Sequence, residues 1–476
     1  MAVAVDDDTS TARGLLQLVL DQERCDHNTF ARRLAAHHQR LGLGTMACRP
    51  EKISRWKKGR TRPDRRATIA MADMLGVPLD QAHALGWPHW LRLALRDDRA
   101  LLASPWTPSG TVQALELVGG FADMERREFV ITGGTLAALL ASWTAAAPAT
   151  AVLTSNRRPL INDDTVRLID DRLATLRHLD DQIGSGQTYA LACAERRMIT
   201  HTLKNTSCST TTGRRLFAAA AEASRISGWC ALDSGHPAQA QRHYLAALRS
   251  AGSAADPVVT ANTLGFWAML RYSTGDPEGA LQLVDAAHRH AARTDSRRMT
   301  AVLHARASRA HARAGNTLAS QRAEHAMFDT YERAGPPDHE PTCVYWINRD
   351  ELHGWAATNA LDLRDPRRAL THHAAITPAH QPAPRTAALR LARQADAHLA
   401  LGDIEAAVHT ADQAVQILGG VASSRGTSLL TGLKNKLAVH VGGHIPARFV
   451  AEERSGARAR QPTRRGPNGS PRRDPA

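Results

Sequence analysis

The densest run of chemistry-bearing side chains lies between Arg49 and Arg66, where nine Lys or Arg residues face two acidic ones. A local net charge of +7 in so short a stretch suits a polyanion, because each phosphate neutralised by Lys or Arg releases condensed counterions. An arginine in such a run can also bond a guanine edge through two parallel hydrogen bonds. The basic side chains of this run are therefore candidate contacts to a polyanion. A second basic run, from Arg448 to the end, carries +5, which leaves only +2 of the total +14 for the rest of the chain.

Other reactive residue types give no pattern. The chain has no phosphate-binding P-loop, no HExxH, no GxSxG and no GxGxxG following a strand. Among 23 histidines the best grouping is Cys25, His27, His37, His38 and Cys48, whose spacing matches no zinc pattern. Asp163–Asp164 and Asp180–Asp181 fit helix ends, and His372–His373 an exposed helix face. Neither an enzyme nor a metal or other cofactor is expected. The six cysteines form no CxxC pair, which fits a reducing compartment. The first residues are acidic where a secretion signal would be basic, so a cytoplasmic location follows.

The elements that must position the basic run are helices. Alanine is abundant and aromatics make up 4%, a composition that favours helix over sheet. Leu15, Leu16, Val19 and Leu20 give a first helix its apolar face. Asp26 or Asn28 caps a second, with Phe30, Leu34 and Leu41 inward. After a glycine-containing loop comes PEKISRWKKGRTRP. Pro50 suits a first helical turn, Glu51 the positive helix end, and Lys57 and Lys58 the negative end. Gly59 supplies a left-handed stop and Pro63 prevents resumption. A fourth helix, RRATIAMADMLG, follows.

ISRWKKGRTRP followed by a helix ending in LGV resembles the recognition helix and next helix of phage-repressor-like (Xre-type) DNA-binding domains. The resemblance implies that Ile53 and Trp56 are core and that Pro50, Glu51, Lys52 and Arg55 face the bases. It turns Ser54 and Arg55 outward and places Lys57, Lys58, Arg60 and Arg62 near phosphates, so the DNA-contacting residues it implies are Lys52, Ser54, Arg55, Lys57, Lys58, Arg60 and Arg62. The order of segments (this module with a lengthened loop, GWPHWLRLAL, an RRxF segment, then helical repeats) is similar to that of regulators from high-GC actinobacteria. It implies a transcriptional regulator acting on double-stranded DNA as a homodimer, with a peptide, protein or small-molecule effector on the repeats.

Downstream, the uncharged run from Phe129 to Asn156, preceded by Arg126–Arg127, imitates an export signal or a membrane span. Its internal position and diluted hydrophobicity favour a buried helix between modules and no membrane. From Asp163 to Val441, five turns share a shape, anchored at Gly235, Gly275, Gly315, Arg364 and Gly402 with spacings of 40, 40, 49 and 38. Five residues after each anchor stands a small residue: Ala240, Ala280, Ser320, Ala369 or Ala407. The pattern is tetratricopeptide-like, since glycine permits the tight turn and the small residue lets paired helices approach. The expected architecture is thus all-α. It comprises a disordered start (1–12), a helix-turn-helix domain (13–96), a linker with a buried helix (97–160), a repeat domain (161–446) and a disordered basic tail (447–476). A rival reading is a repeat scaffold whose N-terminal domain does not read DNA. Pro50, Glu51 and the long loop favour that rival.

Overall fold

The computed structural model describes residues 15–20, 22–23, 25–94, 97–120, 131, 133–144, 158–377, 383–418 and 423–440. Among them every regular element is helical, apart from one isolated bridge between Leu160 and Ser207. The expected disordered ends, the Arg126–Arg127 pair and much of the uncharged run after it lie outside the described residues.

A helical stretch at 15–20 is followed by α1 (His27–Arg40), α2 (Pro50–Lys57), α3 (Arg65–Met74), α4 (Leu79–Leu85) and a 3-10 segment, His89–Ala94. Asp26 caps α1 by accepting from the Thr29 amide at 2.8 Å, and Asp64 caps α3 by accepting from Ala67 at 2.8 Å. These elements share one core built on Leu16, Phe30, Leu34, Ile53, Trp56, Met71 and Trp90. Trp87 bridges Trp56 and Trp90 edge-to-face, so the GWPHWL segment closes this core.

Next come α5 (Asp97–Ala103), α6 (Pro108–Gly120) and α7 (Gly133–Thr144). They pack against the repeats, with Leu101, Leu115, Leu136 and Trp143 in the large core. Buried arginines fasten this segment. Arg249 donates to the carbonyls of Ser104 (2.6 Å) and Leu102 (3.0 Å), Arg196 to Leu115 (2.7 Å) and Arg271 to Ile131 (2.6 Å). No helix among the described residues is long and apolar enough to cross a membrane.

The two long helices α8 (Asp163–Ile183) and α9 (Ser185–Asn205) open the repeat region. Five helix pairs follow: α10 (Thr210–Asp233) with α11 (Pro237–Ala254), and α12 (Pro257–Ser273) with α13 (Pro277–Ala291). The third is α14 (Arg297–Arg313) with α15 (Thr317–Glu332), and the fourth α16 (Arg349–Asp362) with α17 (Pro366–Ala374). The last is α18 (Pro384–Ala400) with α19 (Ile404–Leu418), and α20 (Ser424–His440) packs behind it.

One local grammar makes all five turns. The anchor residue takes positive φ in each: Gly235 (85°), Gly275 (89°), Gly315 (75°), Arg364 (62°) and Gly402 (81°). In four of them the next residue caps the following helix, as Asp276 does by accepting from Gly279 at 2.9 Å and Asp365 from Arg368 at 3.0 Å. A proline then often takes the first helical position, where no amide partner is needed. The small residue five places on is fully covered in every pair, which lets the two backbones approach.

Candidate nucleic-acid interface and central chamber

The basic run folds so that its apolar and charged residues part. In α2, Ile53 and Trp56 are 0% and 1% exposed, whereas Glu51 and Arg55 lie on the outer face. Gly59, with φ of 66°, ends the helix and sends Arg60, Thr61 and Arg62 along the surface. Arg55, Lys58 and Arg60 are exposed, and no hydrogen bond or ion pair to their side chains is formed among the described residues. The Lys52 ammonium lies over the Trp56 ring, 5.3 Å from its centre, a cation–π contact at the edge of the core. Ser54 is half-buried on the adjoining side. Lys57 is held differently, donating to Gln17 Oε1 at 2.7 Å and so tying α2 to the first helical stretch. Arg62 also has an interaction of its own.

The loop before α2 is long, covering residues 41–49, and it is pinned where His38 Nδ1 meets the Gly44 carbonyl at 2.8 Å. His37 contacts Asp73. Both histidines thus serve the packing of α1, and no three His, Cys, Asp or Glu residues among those described are placed to hold a metal ion. The cysteines are all unpaired.

A second site was not visible as a motif. The first helix of each repeat pair, together with α8, α20 and the Tyr345–Trp346 turn, lines a half-open chamber of about 750 Å³. Its two ends meet. Arg385 on α18 donates to Asp180 on α8 at 2.9 Å and lies 3.7 Å from Asp233 on α10, and Arg425 on α20 reaches Asp233 at 3.3 Å. Asp180 also accepts from Trp229 Nε1 at 2.8 Å and Ser185 Oγ at 2.6 Å. Asp180–Asp181 lies in the last turn of α8, and Asp180 is in addition a buried anchor where the coil closes. The expectation of an exposed His372–His373 is corrected. His373 is 8% exposed, and His372 stacks on Phe328 at 6.3 Å, because the short α17 is wedged between its neighbours.

Aromatic and guanidinium groups alternate in the chamber wall. Trp229 lies against both Arg385 and Arg425, at 5.1 and 4.9 Å. Arg306 sits between Phe266 (5.7 Å) and Trp355 (5.3 Å) and donates to the Tyr272 hydroxyl at 3.1 Å. Most arginines here have carboxylates. Arg177 and Arg225 share Glu222 at 2.9 and 2.7 Å, Arg309 has Asp362 at 2.6 Å, and Arg390 has Glu351 at 2.7 Å. Burial works against the Glu222 carboxylate, but its two guanidiniums hold its pKa down to about 2. Burial instead prevails at Asp181 and Glu351, raising both above the ordinary carboxylate value despite Arg385 and Arg390. Arg393 makes no hydrogen bond or ion pair among the described residues. Burial, and after it the Arg309 and Arg425 charges, lower its pKa to about 9.

Sequence reasoning missed this chamber because an arginine on an inner helix face has the same local pattern as one on a solvated face. The available signal was the placement of Trp229, Phe266 and Trp355 in an aromatic-poor chain, on the first helix of the first, second and fourth pairs. Set beside known proteins, the chain matches no protein-family model and no curated protein.

Proposed function

We propose that the chain is a sequence-specific transcriptional regulator: α1 and α2 form a loop-extended helix-turn-helix, and the tetratricopeptide-like repeats dimerise it or bind an effector. The observation that carries this reading is the split of α2, with Ile53 and Trp56 inward and Arg55, Lys58 and Arg60 outward and unengaged. A helix anchored by its apolar face and presenting free cations is what insertion into a major groove requires. Two modules on a homodimer would double the contacts and read paired half-sites.

The test is duplex binding by the intact protein across a salt series. Several phosphate contacts give a log–log slope of several units, on the order of −0.9 per phosphate. Affinity that hardly changes between 50 and 200 mM salt, on the order of the range where such contacts are screened, contradicts the reading. A scaffold with a non-reading N-terminal domain is the second reading. It is favoured by Glu51, exposed on the same outer face where a base-reading helix would not place an anion, and by the long 41–49 loop.

A further inference from the structure

We infer that the central chamber binds a small organic anion: a planar, aromatic body bearing a carboxylate or phosphate, seated with its charge on Arg393. This deepens the effector half of the regulatory reading and rests on that reading for its purpose. The binding itself can be measured whether or not the N-terminal module engages DNA.

Three independent observations converge. The first is size: a half-open chamber of about 750 Å³, bounded where α18 and α20 meet α8 and α10, has room for a drug-sized molecule. The second is charge. Arg177, Arg225, Arg309, Arg385, Arg390 and Arg425 are each matched to carboxylates, whereas Arg306 and Arg393 have none. Arg306 is 6% exposed and its Nε has no hydrogen-bond partner. A guanidinium keeps its proton near neutral pH, so the buried Arg306 and the half-buried Arg393, both without a carboxylate partner among the described residues, leave the chamber wall with an unmet demand for negative charge. Asp181 and Glu351, both raised by burial, supply little to meet it. The third is the wall. Phe266 and Trp355 flank Arg306, and Trp229 lines the same chamber beside Arg385 and Arg425, so the wall carries the flat apolar surface that a planar ligand body requires.

Geometry also predicts the relation between binding and stability. A residue kept for structure destabilises when removed, but a cation set beside the Arg309 and Arg425 charges without an anion of its own costs the folded state free energy until its ligand arrives. Arg393→Met keeps the stem's length and apolar contacts while removing the charge.

The experiment titrates the full chain by calorimetry with four probes: 1-naphthyl phosphate, 1-naphthoate, neutral 1-naphthol and inorganic phosphate. Melting temperatures are recorded for the unliganded wild type and for Arg393→Met. One or both naphthyl anions are expected to bind, and which of them binds tighter tells phosphate from carboxylate chemistry. The neutral naphthol and the bare phosphate should each bind at least about tenfold more weakly. Arg393→Met should weaken anion binding about ten- to a hundredfold while its unliganded melting temperature stays equal or rises. The inference is overturned if neither anion binds, or if naphthol binds as well as they do. It is overturned equally if Arg393→Met keeps full affinity, or if a pentaglutamate peptide outcompetes both anions and so assigns the chamber to an acidic chain. None of these outcomes depends on DNA, so a failed duplex-binding experiment would leave the inference standing.

Discussion

Trp56 does two jobs at once: it fills the small N-terminal core and fixes which face of α2 turns outward. Removing a fully buried indole leaves a cavity, so Trp56→Ala should destabilise the module by about 3–5 kcal/mol, read as loss of its cooperative unfolding step. A folded and stable variant would show that the helix is anchored by something else. Around it the basic residues divide by their engagements. Arg55 is free and central, so Arg55→Ala should cost roughly 1–3 kcal/mol on a preferred duplex and much less on random DNA. Lys58→Ala should flatten the salt slope by about one unit on any duplex. Lys57 is held by Gln17, so its removal should loosen the first helical stretch before it changes the slope. The inward positions were legible through the resemblance of ISRWKKGRTRP to a recognition helix, which implies that Ile53 and Trp56 are core. The engagement of Lys57 was not, since Gln17 lies forty residues upstream.

At the level of elements, the repeat turns are set by local conformational preference. Gly275 has φ of 89° and open space around it, so an added Cβ meets no neighbour and only the backbone objects. Gly275→Ala should therefore lower stability by about 1 kcal/mol through left-handed strain. Arg364 holds the same conformation without being glycine, at 62°. Arg364→Gly relieves that strain but loosens the unfolded chain, so its net effect should be neutral or stabilising. Denaturant titration of both variants checks this, and a larger loss for Arg364→Gly than for Gly275→Ala would refute it. These turns were readable from sequence because the anchor, the cap, the proline and the small residue sit within six consecutive positions. What lies between hairpins was harder: α8, α9 and α20 carry no such turn, although α8 and α20 close the chamber.

Across the whole molecule, buried histidines set the acid limit of the fold. Burial pushes His243 well below the ordinary value of 6.5, and pushes His288 and His373 to about 4, with Arg393 and Arg390 also pressing on His373. A histidine whose folded pKa is depressed takes a proton more readily when unfolded. Stability from these three is therefore complete above pH 6.5 and is lost as pH falls from there towards 4. The Glu222 ion pairs fail only below 4.5, towards 2, so the first loss on acidification belongs to the histidines. The melting temperature should fall by about 5 °C between roughly pH 7 and 5, and an unchanged value would mean that these rings are wet.

The chamber and the outer face of α2 are separate features of one chain, and the proposed regulatory function rests on that face. The most direct measurement is selection of bound duplexes from a randomised pool by the intact protein, run beside Arg55→Ala. The account predicts that the wild type enriches one short sequence, with two related half-sites if the protein is a dimer, and that Arg55→Ala loses the enrichment at specific positions. A wild type that enriches nothing, or a variant that enriches the same sequence equally, would contradict it.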